Sequence, residues 1–141
     1  MKEDRLRVPI DDAYWHSVGL AMICFARLEW DAVWCCERMQ PGYLNMVGTK
    51  TAGHIAKDLV ALAAAHSDPT VVASLGPAAA EFKELVVKRN DLMHANPAKA
   101  LNGDQRLFRK DAEWTIAMVD DAADKFVAAA QSLNHHQHHV L

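Results

Sequence analysis

The chain has 141 residues, of which 51% are hydrophobic and 23% charged, and its formal net charge is -3. That length is one ordinary domain with enough chain for a core, and the composition is globular and not disordered. The mild acidity argues against strong non-specific binding to nucleic acid. No apolar run reaches the roughly 20 residues that cross a bilayer.

Residues Met1 to Arg5 are mixed in charge and no apolar stretch follows them, which is not a signal-peptide pattern. A cytoplasmic location is therefore the expectation. Alanine-rich runs such as Ala61 to Ala65 favour helix, and β-branched runs are few. The predicted class is all-α, an up-and-down bundle of about four main helices.

The first helix is predicted from about Asp11 to Met39, capped by Asp11 or Asp12. Val18, Met22, Phe25, Leu28, Ala32 and Cys36 form its apolar stripe, and Trp30 and Trp34 add a second apolar face. That breadth points to several packing partners and to a homodimer. A second helix is expected from Gly48 or Thr49 to Ala65, on a spine of Ile55, Leu59 and Leu62. Asp68-Pro69 restarts the chain as N-cap and first helical residue. Gly76-Pro77 should interrupt it again, leaving Thr70 to Leu75 as a short piece. A third main helix then runs to Ala95, with Phe82, Leu85, Val86 and Met93 inward, and stops before Pro97. Residues 96 to 111 read as a polar link with a short hairpin at Asn102-Gly103. The last helix is expected from Asp111 to Leu133, with Trp114, Ala117, Met118 and Phe126 inward.

The domain is placed at residues 1–134, with 135–141 as a His-rich tail. Such a tract can bind metal or be a solvated end. No metal site and no cofactor are assigned to the function. Cys24, Cys35 and Cys36 are odd in number, with two adjacent, which makes a poor disulfide or zinc framework. They read as small core or interface residues. Trp30, Trp34 and Trp114 read as core or dimer interface.

Charge is uneven. From Lys83 to Lys110 there are seven basic and three acidic residues, a local net charge of +4 on an otherwise acidic chain. This is either a solvated helix end and loop or a phosphate-binding surface, in which Lys88, Lys99, Arg106 and Arg109 would contact RNA. Inside the stretch lies Arg89-Asn90-Asp91-Leu92-Met93-His94. Arginine offers a planar fork of donors suited to phosphate, and histidine can give or take a proton near neutral pH. Asn90 and His94 share a helix face, four residues apart. Arg89 and His94 are separated by about 140° and about 7.5 Å of rise, awkward for one helix acting alone. A two-fold pair of such helices would bring both sets into one cleft. The alternative is a pair of surface residues on an amphipathic helix, with His94 capping its end.

The pattern R-x4-H with a polar residue after the arginine, near the end of the third helix of a small helical bundle, resembles the HEPN superfamily. The resemblance spans about residues 11 to 133. It implies a metal-independent endoribonuclease with a composite active site in a dimer. Arg89, Asn90 and His94 would be catalytic, cleaving RNA to a 2′,3′-cyclic phosphate and a 5′-hydroxyl. Such a protein would be a toxin or a phage-defence component. It equally allows a non-catalytic dimer that binds a nucleotide, RNA or a nucleotidyltransferase-like antitoxin. Glu29, mid-way along the first helix, could pair with Arg89 and hold its fork, or be an exposed charge paired with Arg27.

Overall fold

A computed structural model describes residues 9–141, so the reading of Met1 to Arg5 lies outside the described residues. Four α-helices dominate: α1 (Asp12–Met39), α2 (Ala52–Ala64), α3 (Pro69–Met93) and α4 (Ile116–His139). Two short 3-10 turns, Tyr43–Asn45 and Val47–Thr49, link α1 to α2. A bundle dominated by helices is as expected, but it is not up-and-down, because α1 and α4 run parallel, and a small antiparallel sheet lies between α3 and α4. Its strands are β1 (Asn96–Lys99), β2 (Gln105–Arg109) and β3 (Ala112–Trp114), in that order. Among the described residues no helix is long and apolar enough to cross a membrane.

Each α-helix begins on an oxygen that accepts a backbone N–H. Asp11 caps α1 through Tyr14, Thr51 caps α2 through His54, Asp68 caps α3 through Thr70, and Thr115 caps α4 through Met118. α1 packs along α4, and the two run parallel. The Tyr14 hydroxyl meets the Trp114 carbonyl near their starts, and the Cys35 thiol meets the Leu133 carbonyl near their ends. Phe25, Phe82 and Phe126 tie α1, α3 and α4 at mid-height, with the Phe25 and Phe126 rings edge to face at 5.2 Å. Cys35 and Cys36 are fully buried, and burial pushes both thiols up to about 12, so they act as core residues.

Four further expectations are corrected. Gly76-Pro77 does not break the chain, because α3 runs through Pro77 without interruption. Proline removes the N–H that would bond the carbonyl of Ala73, but Ala73 and Pro77 are exposed, so that carbonyl lies where water can serve it. Val71, Leu75, Ala79 and Phe82 meanwhile form one buried stripe across the site. The last helix begins at Ile116, since residues 112–114 pair as a strand with β2. Its inward face is therefore Val119, Ala122, Ala123 and Phe126, while Ala117 and Met118 are exposed and Trp114 is buried from the sheet. Met93 is not inward either; it is 55% exposed at the end of α3. The last helix does not stop at Leu133 either. α4 continues through His139, with His136 and Gln137 buried and Val140 and Leu141 packed against the core.

The first hairpin turns at Asn102-Gly103 as expected. Gly103 sits at φ 92°, and the Asn102 side chain accepts the Asp104 N–H. The second turn is the two residues Lys110 and Asp111, at φ 50° and 64°, between the paired Arg109 and Ala112. Positive φ at both central residues is the geometry of a tight hairpin of right-handed twist. Tyr14 anchors this sheet to the bundle: its hydroxyl donates to the Trp114 carbonyl at 2.7 Å and accepts the Leu107 N–H at 3.0 Å.

Candidate functional site

α3 carries Arg89 and Asn90 in its last full turn and hands over to β1 at His94. His94 is the C-cap, and its backbone N–H closes on the Asn90 carbonyl at 2.9 Å. The side chain of His94 is exposed, whereas Arg89 and Asn90 are half-buried. The helix stops here because Pro97 follows and the chain must turn into the sheet.

Arg89 faces α1 and not open solvent. Its guanidinium lies 4.5 Å from the centre of the Phe25 ring, and an Nη is 3.8 Å from the Glu29 carboxylate. Glu29 thus stands beside Arg89. The carboxyl of Glu29 is raised above its ordinary range by burial, and Arg89 offsets only part of that. The Nε of Arg89 is buried and has no hydrogen-bond partner. One edge of the guanidinium is thereby sealed against α1.

The other expected phosphate contacts are spread out. Lys88 turns the opposite way, 3.8 Å from Asp121 on α4. Arg109 on β2 brings its buried Nε to 3.6 Å from Asp91 on α3, an ion pair longer than a hydrogen bond that ties the sheet to the helix end. Arg106 is taken up by structure: it bonds Asp11 at 2.6 Å, lies 3.4 Å from Asp104 and stacks 4.4 Å from the Tyr14 ring centre. Arg106 and the Tyr14 N–H together hold the carboxyl of Asp11 below its ordinary range. Lys99 is exposed on β1, with no ion pair among the described residues. The local excess of positive charge is therefore met in large part by carboxylates from α1, α3, α4 and the first hairpin. Asp11, Glu29 and Asp121 lie outside the basic stretch, so a count along the sequence could not register them.

The structure also shows polar groups that sequence reasoning passed over. Asp31 is 4% exposed and accepts from Arg27 Nε at 3.2 Å and Asn134 Nδ2 at 3.3 Å. Arg27 is thus engaged with Asp31 and not with Glu29. A groove of about 290 Å³ lies beside this cluster, walled by Ile23, Cys24, Val127 and Ala130. The signal was present: Asp31 falls within the apolar periodicity of α1, three residues after Leu28. Tyr43 donates to Asp58 at 2.6 Å and Lys50 bonds the same carboxylate at 2.8 Å, fixing the α1–α2 connection.

α1 leaves an apolar stripe on its outer side. Leu20, Ile23 and Trp30 are 47%, 69% and 49% exposed, and the Trp30 and Trp34 rings meet edge to face. On α3, Val87 is 58% exposed and lies three residues before Asn90 and seven before His94, so the three share a face. Among the described residues no group of three or more His, Cys, Asp or Glu side chains could hold a metal ion. No protein-family model, curated protein or solved structure matches the chain.

Proposed function

We propose that the protein is a metal-independent endoribonuclease of HEPN type, acting as a homodimer in a toxin or phage-defence role. The observation that carries this reading is the end of α3. An exposed histidine at the helix cap follows, by five residues, an arginine whose guanidinium is braced by Glu29 and Phe25. Histidine supplies a proton acceptor and donor near neutral pH, and arginine supplies fixed positive charge for a phosphate.

In this reading the ribose 2′-hydroxyl attacks the adjacent phosphorus as its proton passes to a base. The P–O5′ bond breaks and O5′ takes a proton, leaving a 2′,3′-cyclic phosphate and a 5′-hydroxyl. His94 serves as base or acid, Arg89 stabilises the charge on the pentacoordinate phosphate, and Asn90 positions one or the other. Pairing two chains over the Val87–Asn90–His94 face brings both imidazoles to one cleft, and the outer stripe of α1 offers further apolar area to cover. Of Lys88, Lys99, Arg106 and Arg109, Lys99 is the one with no ion pair among the described residues, and so the one free to meet the RNA backbone.

The test is incubation of the purified chain with total RNA, with the ends of the fragments read chemically. Cyclic-phosphate ends that persist in excess chelator and vanish in His94→Ala are expected. The second reading is a non-catalytic dimer that binds a nucleotide, RNA or an antitoxin partner. The neutralisation of Lys88, Arg106 and Arg109 by neighbouring carboxylates favours it, since broad attraction to RNA is thereby reduced. Binding of RNA without cleavage selects this second reading.

A further inference from the structure

Two histidines with no part in the reading above stand one turn apart at the far end of α4. His135 and His139 are related as i and i+4, both are exposed, and their ring centres are 5.1 Å apart. The turn that carries them is fixed. His136, between them, is 8% exposed with Nδ1 2.8 Å from the Ser132 carbonyl, and Gln137 is equally buried. The N–H groups of Val140 and Leu141 close on the His136 carbonyl. The two imidazoles therefore project from an ordered helix end.

Their spacing permits two rings to share one metal ion. A zinc ion binds an imidazole nitrogen at about 2.0–2.1 Å, and the ring centre lies about 1 Å beyond, so two such rings at a tetrahedral angle have centres about 5 Å apart. The same i, i+4 pairing of histidines on a helix face is a general way to present two nitrogens to zinc. Imidazole selects zinc, copper and nickel over magnesium and calcium. With no third protein ligand among the described residues, the other positions fall to water or to a ligand from outside the chain.

We propose that His135 and His139 form a two-histidine chelate for a borderline divalent transition metal, zinc or copper, at the end of α4. α4 starts beside Tyr14 and the sheet and is 24 residues long, about 36 Å, which places the chelate at the opposite end of that helix from the sheet to which Arg109 ties α3. The site is thus independent of Arg89 and His94. A bound ion bridges two turns of helix and clamps the C-terminal end of α4.

The experiment is calorimetric titration of the full chain with Zn²⁺, Cu²⁺ and Mg²⁺, with melting curves at each saturation. One ion per chain is expected for zinc and copper, copper binding more tightly and magnesium not at all. Saturating zinc should raise the melting temperature. His135→Ala and His139→Ala should each weaken zinc binding by at least about tenfold and remove the melting shift, while His138→Ala keeps both. All three changes are at exposed positions and leave the fold intact by circular dichroism. Unchanged zinc affinity in His135→Ala or His139→Ala, or an equal loss in His138→Ala, overturns the proposal. RNA cleavage is unaffected in all three variants, which keeps this test separate from that of the Arg89–His94 site.

Discussion

Arg89 and Glu29 face each other across the α1–α3 seam at 3.8 Å, both half-buried, with the arginine lying over Phe25. The contact fixes which way the guanidinium points. It also leaves Glu29 dependent on Arg89, since burial alone works against its charge.

Arg89→Ala and His94→Ala should therefore part company in stability while agreeing in activity. Each is expected to lower RNA cleavage by about 10²-fold or more. His94→Ala should cost under about 1 kcal/mol, because the side chain is exposed. Arg89→Ala should cost about 1–3 kcal/mol, because it strips Phe25 of its cover and leaves a half-buried carboxylate alone. Urea melts beside cleavage assays separate the two. Arg27, outside the motif, is not a neutral control, since it bonds the buried Asp31. The exposed Lys57 serves instead.

Glu29 gives a pH signature. Its carboxyl is raised in the folded protein, so the folded state holds a proton that the unfolded chain releases earlier. Stability linked to Glu29 is thus complete below the ordinary carboxylate range and is lost as pH rises through the raised value. Glu29→Gln removes this loss. The melting temperature of the parent minus that of Glu29→Gln should fall as pH is taken from about 4 to about 6. A difference that stays flat across that range would show that Glu29 is not desolvated.

Tyr14→Phe tests how the sheet is held. The hydroxyl satisfies a buried carbonyl at Trp114 and a backbone N–H at Leu107. Removing it leaves both without that partner, at a cost of about 1–3 kcal/mol. Amide exchange should accelerate at Leu107 and along β2, with α2 unchanged.

Ile23→Glu tests the outer stripe of α1. Ile23 is 69% exposed in the single chain, so a charge there should leave the monomer fold within about 0.5 kcal/mol. Light scattering at micromolar concentration should show a dimer for the parent and a monomer for the variant. RNA cleavage should fall with the dimer, although Arg89 and His94 are intact. A parent that is monomeric at that concentration counts directly against a composite site.

The helices were legible because their caps and stripes are local. Asp11 and Asp68 each begin a helix by bonding residues two or three ahead, and the apolar period of α1 follows directly, whereas the caps Thr51 and Thr115 lie two to four residues after the starts expected at Gly48 or Thr49 and at Asp111. The Asn102-Gly103 turn was legible for the same reason. Pro77 misled because a long buried stripe outweighed one missing hydrogen bond. β3 was hidden because Lys110-Asp111 adopts a turn that those residues rarely signal. The helical end of α4 was overlooked because four histidines read as a polar tail, although Leu133, His136, Gln137 and Val140 keep a helical apolar-side period. Of the candidate site, the Arg89–Glu29 pairing was accessible from residue type and helix position. The engagement of Lys88, Arg106 and Arg109 was not, because Asp121, Asp11 and Asp91 meet them only through the tertiary fold.

The parallel packing of α1 on α4 joins the first and last helices of the described chain. During synthesis α1 emerges early, and its buried face of Tyr14, Ala21, Phe25 and Leu28 has no full partner until α4 has left the ribosome. The core closes late, across a loop of about one hundred residues, so this domain folds largely after its own translation and not alongside it. Nascent chains arrested before Ile116 should accordingly present that face of α1 to chaperones.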